Sequence, residues 1–120
     1  MKNVITKELQ FTQTNISFCY GEKAYIKFML ENNYPEGAIN IDATTSIITN
    51  KTGFFTIVIG IKKRSCVYSL KGLVVHEISH AVTEWMLYYG FKCDEVRSYA
   101  LQFLYQEFML FLDERLQKGT

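Results

Sequence analysis

His76-Glu77-Ile78-Ser79-His80 places the two histidines of this 120-residue chain four positions apart, with a carboxylate directly after the first. On a helix, residues four apart share a face, so both imidazoles can reach one divalent cation. Glu77 then lies beside the water such an ion would hold and is suited to take a proton from it. The chemistry implied is metal-assisted hydrolysis, with one zinc ion as cofactor. The plainer alternative is a pair of partly buried histidines, hydrogen-bonded to neighbours on an amphipathic helix.

The element that must position these residues is a helix expected from about Lys71 to Tyr89, with Ser69 as N-cap and Gly90 as its C-terminal stop. Leu73, Val74, Val75, Ile78, Ala81, Val82, Trp85 and Met86 spread around more than one face, which predicts a core helix. Against that background His76, Glu77, His80 and Glu84 require a reason. Burying such groups is costly unless they are paired or bind a metal.

A catalytic zinc site generally has three protein ligands. With no third histidine in the chain, the remaining ligand must be Asp, Glu or Cys. Glu84 is one turn past His80, where a straight helix carries it beyond the ion, so it is expected to orient the ligands or to face solvent. After Gly90-Phe91-Lys92-Cys93, a second helix is expected from Asp94, its N-cap, to about Gln117, with acidic residues in the first turn suiting the helix dipole. A connection this short makes the helices antiparallel neighbours. Glu95, Tyr99 or a neighbour can then come opposite His80, although Glu95 needs a splayed crossing to reach it. Cys93 is a further candidate ligand.

Leu73-Val74-Val75-His76-Glu77-Ile78-Ser79-His80-Ala81, followed by Glu95-Val96-Arg97-Ser98-Tyr99-Ala100, resembles the gluzincin pattern of small zinc metallopeptidase-like proteins of bacteriophages, prophages and other mobile elements. The resemblance covers roughly residues 69 to 112, and its second half is less specific than its first. It implies a zincin-like fold, His76, His80 and Glu95 as zinc ligands, Glu77 as general base, and a peptide or protein substrate. Ser98 stands where a small Ala is commoner in that pattern. A donor for the developing oxyanion is also expected. Tyr99, Tyr88 and Tyr89 are the candidates.

The amino-terminal half reads as strands. Phe54 to Ile61 is β-branched and aromatic, and Asn50-Lys51-Thr52-Gly53 is a turn joining it to Ala38–Asp42 through Ile47-Ile48-Thr49. Val4 to Phe11 and Ile16 to Tyr20 supply further strands, Glu22 to Asn32 a short helix, and Asn33-Tyr34-Pro35-Glu36-Gly37 a break. The expected fold is α+β and zincin-like: a small, mostly antiparallel sheet packed on a buried metal-binding helix and a long C-terminal helix. Residues 1–68 form mainly sheet and 69–120 the two-helix half of a single domain. Phe54 to Ile61 is expected to offer a free edge to a substrate strand, or else to be the central strand under the helices.

At 48% hydrophobic residues the chain can bury a real core, but it has no length for the second lobe of large peptidases. A formal charge of +1 gives no reason to expect nucleic acid. No signal peptide or membrane span is expected, which predicts the cytoplasm of a bacterial or phage-host cell. Cys19, Cys66 and Cys93 suit reduced thiols, and Lys62-Lys63-Arg64 a solvated loop. Phe103, Leu104, Phe108, Met109, Leu110, Phe111, Leu112 and Leu116 exceed what one helix face requires, so a second copy or another protein is expected to cover some of them. That predicts a competing function, a non-catalytic interaction module stabilised by zinc at a vestigial site.

Overall fold

The computed structural model describes residues 3–9, 12–34, 39, 42–49, 55–64 and 66–118. Four strands and three helices follow in the order β1 (Val4–Leu9), β2 (Thr14–Tyr20), α1 (Glu22–Glu31), β3 (Ala43–Thr49), β4 (Phe55–Ile61), α2 (Val67–Tyr89) and α3 (Asp94–Lys118). The fold is α+β. The sheet is mixed, in the order β1-β2-β4-β3, with β2 and β4 parallel and both outer pairs antiparallel.

Alternation along the central strands sorts the side chains into two layers. Ile16, Phe18 and Tyr20 of β2 and Phe55, Ile57, Ile59 and Ile61 of β4 face α2 and α3 in the larger core, while Cys19 and Val58 face α1 in the smaller one. All seven β4 residues are buried, which follows from a strand hydrogen-bonded on both sides and covered on both faces. At Gly60 a Cβ would come within 2.5 Å of the Tyr25 ring, so the missing side chain lets Tyr25 of α1 lie flat against the sheet. The Tyr25 hydroxyl is then 2.7 Å from the Ser46 hydroxyl of β3, tying α1 to the edge strand.

Several expectations change. The free edge beside α2 belongs to β3, because β4 is central; the alternative reading of Phe54 to Ile61 is the one observed. β3 runs from Ala43 to Thr49; of the strand expected at Ala38–Asp42, Ala38, Asn40 and Ile41 lie outside the described residues, and Asp42 lies in a turn. The Asn50–Gly53 turn and Pro35-Glu36-Gly37 lie outside the described residues, but the antiparallel register Thr49↔Phe55 is that of a hairpin. Ser69 is inside α2, whose N-cap is Cys66: Val67 to Leu70 extend the helix expected from Lys71 by about one turn. Gly90 ends it in the left-handed region at φ 74°, as a glycine stop should.

The basic run after β4 is also partnered. Arg64 pairs with Asp42 at 2.9 Å, Lys62 lies 3.9 Å from Glu22, and Lys63 covers the Tyr20 ring. In α3, Phe108 and Phe111 pack on Phe18, and Leu104, Met109 and Leu112 are buried within this chain. The apolar excess of that helix is therefore largely covered by its own sheet, leaving Tyr99, Tyr105 and Leu110 as its exposed large apolar residues. Among the described residues, no helix is long and apolar enough to cross a membrane.

Candidate metal centre

α2 lies across the sheet with Leu70, Val74, Ile78, Ala81, Val82 and Trp85 buried beneath it. This stripe leaves a solvent face that carries His76 and His80 one turn apart, both exposed. Their Nε2 atoms converge to 3.1 Å, with the rings nearly perpendicular. Two nitrogen ligands of one tetrahedral zinc ion lie about 3.3 Å apart, from the usual zinc–nitrogen bond length. The observed separation therefore fits two ligands of a single ion. The separation also fits a hydrogen bond from one ring N–H to the other.

Glu77 turns the opposite way from solvent, toward β3, and is 6% exposed. One carboxylate oxygen, Oε2, lies 3.9 Å from His76 Nε2. The other, Oε1, accepts a 2.7 Å hydrogen bond from the Thr45 hydroxyl of β3. His76, Glu77 and His80 together form a group that could hold a metal ion, each offering a ligand atom within 4.8 Å of the others.

The other candidates lie outside this group. Glu84 is exposed on the next turn of α2. Glu95 is exposed in the first turn of α3. Arg97 donates to the Thr83 hydroxyl at 3.3 Å, one point of contact between α3 and α2. Counted residue for residue from that contact, Ala100 is level with His80, and Glu95 falls five positions, or about 7.5 Å, short of it. Cys93 is exposed in the connection between the helices. Tyr99 is 55% exposed and stacks on Phe103 of its own helix. Tyr88 and Tyr89 belong to an aromatic cluster with Phe55 and Phe91 at the far end of α2, where the Tyr89 hydroxyl accepts from Thr14.

Thr45 is the residue that sequence reasoning missed. It stands in an ordinary threonine-rich strand segment, Ala43-Thr44-Thr45-Ser46, and only the pairing of β3 with the central strand reveals which hydroxyl faces α2. Comparison with known proteins finds no match to this chain, whether among family models, curated proteins or solved structures.

Proposed function

We propose that the chain is a zinc-dependent metallopeptidase of zincin-like fold, with His76 and His80 as zinc ligands and Glu77 as general base. The observation that carries this reading is the convergence of the two Nε2 atoms to 3.1 Å with the buried Glu77 carboxylate beside them. A zinc ion bound there would act as a Lewis acid and lower the pKa of its water toward neutrality. Glu77 would take the proton through Oε2 and return it to the leaving amine. Glu95 is the third ligand we assign, and it needs the first turn of α3 to move toward His80 when metal binds. The β3 edge, next to α2, is suited to hold an extended peptide as an added strand. Tyr99 is the oxyanion donor retained from the candidates, because Tyr88 and Tyr89 are engaged in packing.

The cytoplasm of a bacterial or phage-host cell is the compartment proposed, where the exposed thiols of Cys66 and Cys93 stay reduced. Any self-association through α3 would rest on Tyr99, Tyr105 and Leu110. A second reading is favoured by the position of Glu84 and Glu95 outside the histidine group: a non-catalytic, phage-type interaction module whose zinc site is vestigial. Zinc stoichiometry combined with cleavage of a peptide library separates the two. The peptidase reading requires one zinc per chain and a Glu77→Gln variant that keeps the metal and loses cleavage. Undiminished cleavage by that variant overturns the assignment of the base. Zinc held without any cleavage by the unaltered chain supports the module.

A further inference from the structure

Glu77 is an unusual acid for its surroundings. It is the charged residue within the buried set, which otherwise holds apolar side chains and the hydroxyls of Thr14, Ser17 and Thr56. Buried carboxylates are ordinarily matched by Lys or Arg, because an unpaired charge in the interior is costly. Among the described residues no lysine or arginine reaches Glu77. Its short partner is a neutral hydroxyl, Thr45 Oγ1 at 2.7 Å from Oε1, and the same hydroxyl lies 3.4 Å from the Glu77 backbone carbonyl.

This arrangement does two things that an arginine would not. It satisfies one carboxylate oxygen with a neutral donor, so no counter-charge is brought to the carboxylate. It also fixes the rotation of the carboxylate, holding Oε1 toward the sheet and turning Oε2 to the histidines, 3.9 Å from His76 Nε2. The hydroxyl is itself rigidly placed. Thr45 pairs with Ile59 of the central strand, and its β-branched side chain has few rotamers to choose from.

We infer that Thr45 is the positioning residue of the metal centre, acting through Glu77 by a hydrogen bond donated across from the edge strand to the metal helix. The inference rests on the reading of His76 and His80 as metal ligands, and it extends the centre to a residue thirty-one positions upstream of His76. It also makes β3 part of the centre's architecture and not only a wall beside it.

The test compares Thr45→Ala with Thr45→Ser in the full chain. Both lose the methyl group and differ only in the hydroxyl, so a common packing defect cancels. Zinc and cobalt(II), each added alone, are the probes. Thr45→Ala is expected to go on binding zinc, because both imidazoles remain, while its cobalt(II) absorption spectrum shifts toward that of Glu77→Gln. Thr45→Ser restores the original spectrum. The double variant Thr45→Ala/Glu77→Gln matches Glu77→Gln alone, the non-additivity expected of a residue that acts through another. Where a cleaved peptide is in hand, Thr45→Ala lowers kcat by about tenfold with KM unchanged, and Thr45→Ser recovers it.

A Thr45→Ala spectrum identical to that of the unaltered chain, beside a shifted Glu77→Gln spectrum, overturns the role of Thr45 and leaves the metal centre standing. Equal defects in the Ala and Ser variants overturn it as well, since the methyl group would then be what matters. Absence of zinc and cobalt binding by the unaltered chain removes the metal centre itself, and this inference with it.

Discussion

The middle of α2 and its C-terminal end both carry polar atoms against the same sheet, yet they dispose of them in opposite ways. At the end, the Trp85 indole N–H donates to Thr12 at 3.0 Å, and Thr14 donates to the Tyr89 hydroxyl at 3.1 Å. The rings of Phe55, Tyr88, Tyr89 and Phe91 close over these contacts. In the middle, two exposed imidazoles point their Nε2 atoms at each other, and a buried acid is held by a single neutral hydroxyl. The first pattern is what packing produces: large rings interlocked, with each polar tip taken up by a threonine of β2 or of the turn before it. The second is not required by packing, because nothing in the core would be lost if both histidines were solvated. The difference separates polar groups taken up by packing from a pair of imidazoles that the core does not use.

The largest effect should come from breaking the packed end. Trp85→Ala removes a side chain that is 4% exposed, along with its hydrogen bond to Thr12 and its contact with Phe91. Denaturant unfolding should show a loss of about 3–5 kcal/mol. In whatever fraction remains folded, the affinity for zinc should be unchanged. A strong loss of zinc affinity in folded Trp85→Ala would mean that the two halves of α2 are not separable.

Next comes His80→Ala, which should reverse the pattern. Without metal its stability should stay within about 0.5 kcal/mol of the parent, as for exposed positions generally, because its ring contacts only the equally exposed His76. Its zinc affinity, measured by calorimetry, should fall steeply, since one of the two imidazoles proposed to hold the ion is gone. The same comparison predicts that zinc at a hundred times its Kd raises the stability of the unaltered chain by about 2.7 kcal/mol, and that a chelator abolishes the gain. A metal-free His80→Ala chain several kcal/mol less stable than the parent would place the histidines with the packing residues instead.

These contrasts also explain what could be read from the sequence. The spacing of His76 and His80, the glycine stop at Gly90 and the short connection to Asp94 are local features, and local features survive into the structure. The limits of β1, β2 and α1 were legible to within a few residues for the same reason. The position of β4 was less so, because a run of apolar β-branched residues looks alike whether it is central or at an edge; the parallel pairing with β2 decides it, and that pairing joins residues some forty positions apart. Thr45 was invisible because its partner lies thirty-two positions away and a threonine in a strand is unremarked. The reach of Glu95 depends on how two helices cross, which a four-residue connection does not dictate. The partners of Lys62, Lys63 and Arg64 depend on where α1 and the entry to β3 come to lie.

A smaller effect tests the packed end more finely. Tyr89→Phe keeps the ring and its aromatic contacts and removes only the oxygen that accepts from Thr14. A loss of about 1 kcal/mol is expected, the usual net worth of one such hydrogen bond, with zinc binding unaffected. Thr14 is buried, so a smaller loss in Thr14→Val/Tyr89→Phe than in Tyr89→Phe alone would identify the stranded hydroxyl as the source of the cost.

The smallest effect is expected on the other face of the sheet, remote from both ends of α2. Burial pushes the Cys19 thiol from 9.0 up to about 12, because the thiolate cannot be solvated between Tyr25, Met29 and Val58. The unfolded chain releases this proton near pH 9, whereas the folded chain keeps it. The stabilisation is therefore fully present below pH 9 and is lost as the pH rises from there toward 12. Burial raises Tyr20 as well, so the alkaline loss in the unaltered chain combines both groups. Cys19→Ala isolates the thiol: its Tm should lie below that of the parent at pH 8 and converge on it by pH 10. In the same samples at pH 8, a thiol reagent should label Cys66 and Cys93, both exposed, and leave Cys19 untouched while the fold is intact. A parent and variant that stay equally far apart at both pH values would mean that Cys19 contributes through its volume alone.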